Sequence, residues 1–463
     1  MPVNKRRVNP IPDSGVATRD LSCKAMSIRT PRRRPRRLRS LGAAALVAGI
    51  LCGTALTGLD TAVAGAQPAP TTPFTTPNTD DCPNKVSPPP PMDTSEVPAP
   101  GDPTPTPLPV PSPPIGGPKM GQCGVVLPPG VPPVPADISA TGWVIADLNS
   151  GRVLAAKDPH GRYRPASTIK TLLAIVALRT LDLTKVVIGT QEDANVEGTR
   201  VGIGPGGRYT NKQLMQALIM CSGNDAAHAI ATQLGGEEAT VAKMRAEAER
   251  LHAMDTRPAT PAGLDGPGMS TSPYDLATIF REAMTIPTFA ELIHTEQADF
   301  PGYPADPKIP GDKDHPGFVI ANDNRLLYDF DGDLGGKTGF TDDARQTFVN
   351  AAERNGHRLV ITLLKADVLP IRPPEQAARL LDWAFAFPPA AYVGSLPDNS
   401  RSQPGNPGVS LAVPPPHDAD EAGDEEKPAH DDLPTYILAG GIVVALALVV
   451  AAWWVSGRGR RRR

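Results

Sequence analysis

A serine followed three residues later by a lysine is the first place where this chain could do chemistry. In Ser167-Thr168-Ile169-Lys170 the pair is preceded by Pro165 and Ala166 and followed by the apolar Leu172, Leu173, Ile175 and Val176. The pattern predicts a buried helix over 167–180 that opens at the serine. Positions i and i+3 then share one face, about one turn apart. The helix N-terminus offers partial positive charge and free N–H groups beside the serine oxygen. A lysine stripped of water there can lose its proton and act as a base towards the hydroxyl. The spacing alone is weak evidence, because a capped helix with a surface lysine would look the same.

Two further groups could complete such a site. Ser222-Gly223-Asn224 interrupts the apolar helical region 211–234 with small polar residues. It reads either as a helix break or as a second hydroxyl and an amide facing the nucleophile. Lys337-Thr338-Gly339-Phe340 precedes a hairpin and would lie on a strand edge, where glycine admits a ligand's backbone. By itself it reads equally as a glycine-rich turn. No metal-ligand spacing stands out and the eight histidines are scattered, so neither metal nor cofactor is expected.

The elements that must position these groups mix strand and helix. Alternating segments at 142–147 and 153–157 flank Asn149-Ser150-Gly151, a hairpin signal. Segments at 346–353 and 358–365 flank Asn355-Gly356, a stronger one. Helical patterns cover 167–180, 211–234, 274–283 and 373–387. Strands at both ends with helices between predict an α/β (α+β) domain over 137–392. Its antiparallel sheet would be built from the two ends and covered by helices, beside a mostly helical subdomain.

The flanks have other compositions. Arginines at 32–39, an apolar run from Leu41 and the small residues Ala62, Ala64 and Ala66 form a signal-peptide pattern over 1–66, with Met26 an alternative start. Proline-rich residues 67–136 read as an extended linker that could wrap on the domain. Cys82 and Cys123, far apart within it, are either a disulfide or two free thiols. Residues 393–434 form a second linker, rich in proline and acid, with a reach on the order of 100 Å. Residues 435–456 are uncharged and long enough to span a bilayer. Tyr436 lies at one end of this segment, and Trp453 and Trp454 at the other, as interfacial aromatics do. The basic tail 457–463 then stays cytoplasmic and the domain lies outside. The net charge of −3 hides these asymmetries, and the basic runs beside apolar segments point to a membrane, not to nucleic acid.

In this order the three motifs are specific. S-x-x-K and K-T-G mark penicillin-binding proteins and class A β-lactamases. Residues 137–392 resemble the low-molecular-mass D-alanyl-D-alanine carboxypeptidases, serine peptidases similar to penicillin-binding protein 5. Gly263-Leu264-Asp265, the stretch Met269 to Ala277, and Asn322-Asp323-Asn324-Arg325-Leu326-Leu327 carry the same resemblance. It implies that Ser167 attacks a D-Ala–D-Ala bond, with Lys170 as base and Ser222 relaying the proton to the leaving D-alanine, near Lys337. Asn224 would hold Lys170 or a substrate amide. Thr338 and Gly339 would bind substrate as an added strand, and the N–H groups of Ser167 and Phe340 would form the oxyanion hole. Peptidoglycan stem peptides are the implied substrate and β-lactam antibiotics the implied inhibitors. A β-lactamase would need an added glutamate loop, and no E-x-x-L-N stretch is present. A cross-link endopeptidase, or an inactive peptidoglycan-binding protein, are the alternatives on the same fold.

Overall fold

The computed structural model describes residues 74–398. The expected signal segment 1–66, the spanning segment 435–456 and the tail 457–463 lie outside the described residues, as does nearly all of the acidic linker. No helix among the described residues is long and apolar enough to cross a membrane.

The first half of the chain supplies β1 (Val125–Val126), β2 (Gly142–Asp147), β3 (Arg152–Lys157) and α1 (Lys170–Thr180). A helical lobe follows. It holds β4 (Val186–Ile188), α2 (Gln191–Asn195), β5 (Arg208–Thr210), α3 (Asn211–Met220), α4 (Asn224–Gln233) and α5 (Glu237–Arg250). The connection back is α6 (Pro273–Ala283), α7 (Pro287–Ile293), β6 (Gln297–Phe300), β7 (Phe318–Ala321) and α8 (Leu326–Asp329). The chain closes with β8 (Asp333–Thr341), β9 (Arg345–Arg354), β10 (His357–Ala366), α9 (Pro373–Phe385) and β11 (Gly394–Ser395).

The main sheet is antiparallel, in the order β1-β3-β2-β10-β9-β8, with β11 also on β3. Strands from the two chain ends meet in its middle, where Ile145 faces Ile361 across β2 and β10. Side chains alternate between two buried faces. Val144, Ala146, Val349, Ala351, Val360 and Leu364 join the core shared with α1, α3 and α6. Trp143, Ile145, Phe348, Ala352, Leu359 and Ile361 face α9 with Leu380, Leu381 and Trp383. Central strands covered on both faces need to be largely apolar, and β2 and β10 are. The sheet also recruits Val125–Val126 and Gly394–Ser395, which lie outside the boundaries 137–392 expected from sequence.

The helical region expected over 211–234 is two helices broken at Cys221-Ser222-Gly223. The expected helix over 167–180 begins as a 3-10 turn at Ala166–Ile169 and becomes α1 only at Lys170.

Residues 74–136 run over the domain as a strap. Proline has no N–H but keeps its carbonyl, so such a chain mostly accepts hydrogen bonds. Arginine and lysine only donate, and they meet it. Buried Arg162 donates to the carbonyls of Val86, Leu108 and Pro109 at 2.6–2.7 Å. Arg164 donates to the Pro89 carbonyl, Arg257 to Thr106, and Lys157 to Pro77. Trp383 donates to Pro132. Cys82 and Cys123 form a disulfide with Cα atoms 5.1 Å apart and a sequence separation of 41. A closed loop of that length stabilises by about 4 kcal/mol in the chain-entropy account.

Arg162 also pairs with Asp255 at 3.2 Å, with both side chains almost fully buried. Arg162→Met is expected to lower the unfolding free energy by about 3 kcal/mol or more, because Asp255 and three strap carbonyls lose a donor. Urea denaturation measures this, and an unchanged midpoint would contradict the strap's dependence on this residue.

Candidate active site

Ser167 lies in the 3-10 turn ahead of α1, and Ala166 before it has φ 47°. A non-glycine residue in the left-handed region is strained, and such strain persists only where surroundings enforce it. The enforcement is visible on two sides. Thr347 on β9 donates its hydroxyl to the Pro165 carbonyl at 2.7 Å. Gly263, itself at φ 87°, lies so close that a Cβ there would fall 2.1 Å from the Ala166 carbonyl oxygen.

Lys170 is fully buried in the first turn of α1. Its Nζ is 2.8 Å from Ser167 Oγ, 2.7 Å from Asn224 Oδ1 and 2.6 Å from the Ala262 carbonyl. Burial first, and then the nearby Lys337 charge, push its pKa well below the ordinary lysine value. The neutral amine is thereby favoured beside the hydroxyl it would deprotonate.

The break between α3 and α4 delivers the second group. Ser222 sits there at φ 59° and is 8% exposed. Asn224 opens α4 and its Nδ2 donates to the Glu197 carbonyl at 2.7 Å, which turns its oxygen towards Lys170. Asp225 follows, fully buried, and accepts four backbone N–H bonds, from Val201, Gly202, Ile203 and Ala226. The carboxylate thus fixes the 197–203 loop against the N-terminus of α4.

Lys337, Thr338, Gly339 and Phe340 lie on β8, which is an edge of the main sheet. Gly339 lies against the nucleophile's turn. A Cβ there would come within 2.9 Å of the Ser167 backbone nitrogen and 3.0 Å of that of Thr168. Only glycine allows this approach, so the third motif abuts the first. Lys337 is buried and donates to the Thr338 carbonyl at 2.7 Å. Burial pushes its pKa down to about 8, against the opposing charge of Asp323. Thr338 is partly exposed along the edge, and the Phe340 ring is 51% exposed.

The structure therefore brings Ser167, Lys170 and Asn224 into direct contact, lays Gly339 on the Ser167 turn, and sets Lys337 within electrostatic range of Lys170. Ser222 stands two residues from the Lys170 contact. Several positioning groups had no role in the sequence reading. Asp323 faces Lys337, and its backbone N–H donates to the Met220 carbonyl at 2.8 Å. Asn324 and Asn350 bind the Asp333 carboxylate at the start of β8. Asp323 and Asn324 belong to the N-x-N stretch already singled out. Nothing in the sequence marked Thr347 or the Ala262 carbonyl.

A model of the D-alanyl-D-alanine carboxypeptidase family matches residues 130–368. The chain is 46% identical over 275 residues to D-alanyl-D-alanine carboxypeptidase DacB2 of Mycobacterium tuberculosis, covering 58% of this chain and 90% of that protein. It is 31% identical over 264 residues to DacD of Escherichia coli, covering 54% of this chain and 64% of that protein. The solved structure of a D-alanyl-D-alanine carboxypeptidase from M. tuberculosis superposes with a TM-score of 0.53 at 45% identity, covering 58% of this chain and all of that one. A Streptomyces DD-transpeptidase gives 0.50 at 25% identity, covering 56% and 99%. With the site geometry, these matches establish that the chain belongs to the D-alanyl-D-alanine carboxypeptidase family and is a serine-type D-Ala–D-Ala carboxypeptidase acting on peptidoglycan.

Proposed function

We propose that the protein removes the terminal D-alanine from peptidoglycan stem pentapeptides through an acyl-enzyme on Ser167, and that penicillin acylates the same residue. The contact that carries this reading is Lys170 Nζ at 2.8 Å from Ser167 Oγ in a fully buried position. The substrate adds as a strand along β8, and Thr338 and Lys337 meet its terminal carboxylate. The Lys170 amine takes the Ser167 proton while Oγ attacks the carbonyl carbon of the penultimate D-alanine. The backbone N–H groups of Ser167 and Phe340 hold the oxyanion. Ser222 then passes a proton to the departing amine as the C–N bond breaks, and water hydrolyses the ester. A β-lactam places its carbonyl and carboxylate where the dipeptide places its own.

The working location is outside the cell membrane, with a single C-terminal span over residues 435–456 and the basic tail inside. Support for this comes from the uncharged segment, its flanking aromatics and the terminal arginines. The acidic linker gives the domain reach towards the wall.

Two outcomes follow. The full chain should release D-alanine from a D-Ala–D-Ala peptide and take up labelled penicillin. Ser167→Ala should lose labelling and at least about 10⁴-fold in rate. Labelling without release would move the substrate to a peptide cross-link. In fractionated cells the full chain should sediment with membranes, and truncation before residue 435 should free it. A truncated chain that still sediments would place the anchor at the N-terminal segment.

A further inference from the structure

The strap meets the catalytic domain at a carboxylate cluster that the mechanism does not use. Asp343 lies in the turn between β8 and β9 and is 7% exposed. Its Oδ1 accepts the Met92 N–H of the strap at 2.5 Å, while its buried Oδ2 has no protein partner. Asp265, three residues beyond the carbonyl that holds Lys170, accepts the Thr341 hydroxyl, and its buried Oδ1 also lacks a partner. Glu96 comes from the strap, with both oxygens on Arg164. One oxygen from each of the three carboxylates lies within 4.8 Å of the others.

Buried carboxylate oxygens without a donor are costly, and three negative charges here face one guanidinium. Burial pushes Asp265 up to about 6, with the Asp343 and Glu96 charges adding to it. A divalent cation among the three carboxylates would supply the missing partner and offset the excess charge. The donors are all oxygen, which selects a hard ion over zinc. Oxygens that all lie within 4.8 Å of one another can share one calcium, at bonds of about 2.3–2.6 Å, whose irregular shell tolerates water in the remaining positions. Magnesium demands a tighter octahedron at about 2.0–2.1 Å. A second acidic group, His160 with Asp255 and Asp275, does not offer the same chemistry. There both imidazole nitrogens are already engaged, by Asp255 and by the Ile115 carbonyl.

We propose that Glu96, Asp265 and Asp343 form a calcium site that staples the proline-rich strap to the domain at the end of β8. The family match begins at residue 130, so the strap ligand Glu96 belongs to an addition that precedes the shared domain. Arg164, beside the cluster, is three residues from the nucleophile. Calcium would therefore fix the strap next to the strand that receives substrate.

The test uses the full chain stripped with EGTA, titrated with CaCl₂ by calorimetry and followed by thermal unfolding. Saturable binding is expected at this site, with a Tm raised by several degrees in excess calcium and a weaker response to MgCl₂. Asp343→Asn should weaken that binding at least about tenfold. Glu96→Gln, on the strap itself, should do likewise and guards against a misfolded Asp343 variant. Penicillin labelling of each variant reports an intact domain. Calcium binding unchanged in both variants would put the ion elsewhere, for instance on the acidic run at 418–426, and would overturn the site. No calcium response, with a Tm that depends only on pH near 6, would mean that Asp265 is satisfied by a proton instead of an ion, and would equally overturn it.

Discussion

An amine with no access to water sits at the head of α1, and the rest of the site is arranged around it. Lys170 can be buried there because α1 is apolar on every side, with Thr171 through Ala177 also buried. The energetic difficulty of burying a charge becomes useful when the neutral form is the one required. Three oxygens around Nζ hold it in a single position. One is the Ser167 hydroxyl, one an amide fixed by Glu197, and one a backbone carbonyl. The acceptors come from the turn before α1, the start of α4 and the loop at Ala262, so the helical lobe must be in place before the amine is held.

Strand β8 depends on the same arrangement. It runs as a sheet edge past the Ser167 turn, close enough that position 339 must lack a side chain. Its far end is anchored by Asp333, whose carboxylate binds Asn324 and Asn350 and is pushed up to about 6 by burial. The edge is thus held at both ends, as the proposed addition of an extended peptide along it would require. Lys337 contributes a second amine close to the first. Their mutual repulsion lowers Lys170 further, while Asp323 partly offsets the burial of Lys337.

Much of this was legible in sequence because it is written in local patterns. The hairpin at Asn355-Gly356 and the apolar strands around it announced the sheet. The three short motifs named Ser167, Lys170, Asn224 and Gly339, although no spacing rule brings positions 170, 224 and 339 together. The approach of 339 to the Ser167 turn follows from the sheet pairing the two chain ends, and that of 224 to 170 from α4 packing on α1. What stayed hidden was tertiary. A proline-rich composition describes a segment poor in helix and sheet, and it does not reveal buried arginines waiting for its carbonyls. Arg162 and Arg164 look like ordinary charges in sequence, yet both are almost fully buried beneath the strap. The Met92–Asp343 bond joins residues 251 apart and leaves no local trace. The strained φ at Ala166 is likewise imposed from outside, by Gly263 and Thr347.

The account rests on Lys170 being neutral at working pH and Lys337 being charged. The direct measurement is the single-turnover rate of Ser167 acylation by penicillin between about pH 5 and 10. The rate should level off well below the ordinary lysine value of 10.5, because burial and the Lys337 charge favour the neutral Lys170 amine. It should then fall above about 8 as Lys337 loses its own proton. A rate that instead climbs through pH 9 by about tenfold per unit, with no plateau, would mean that Lys170 titrates as an ordinary lysine and would contradict its role as the base.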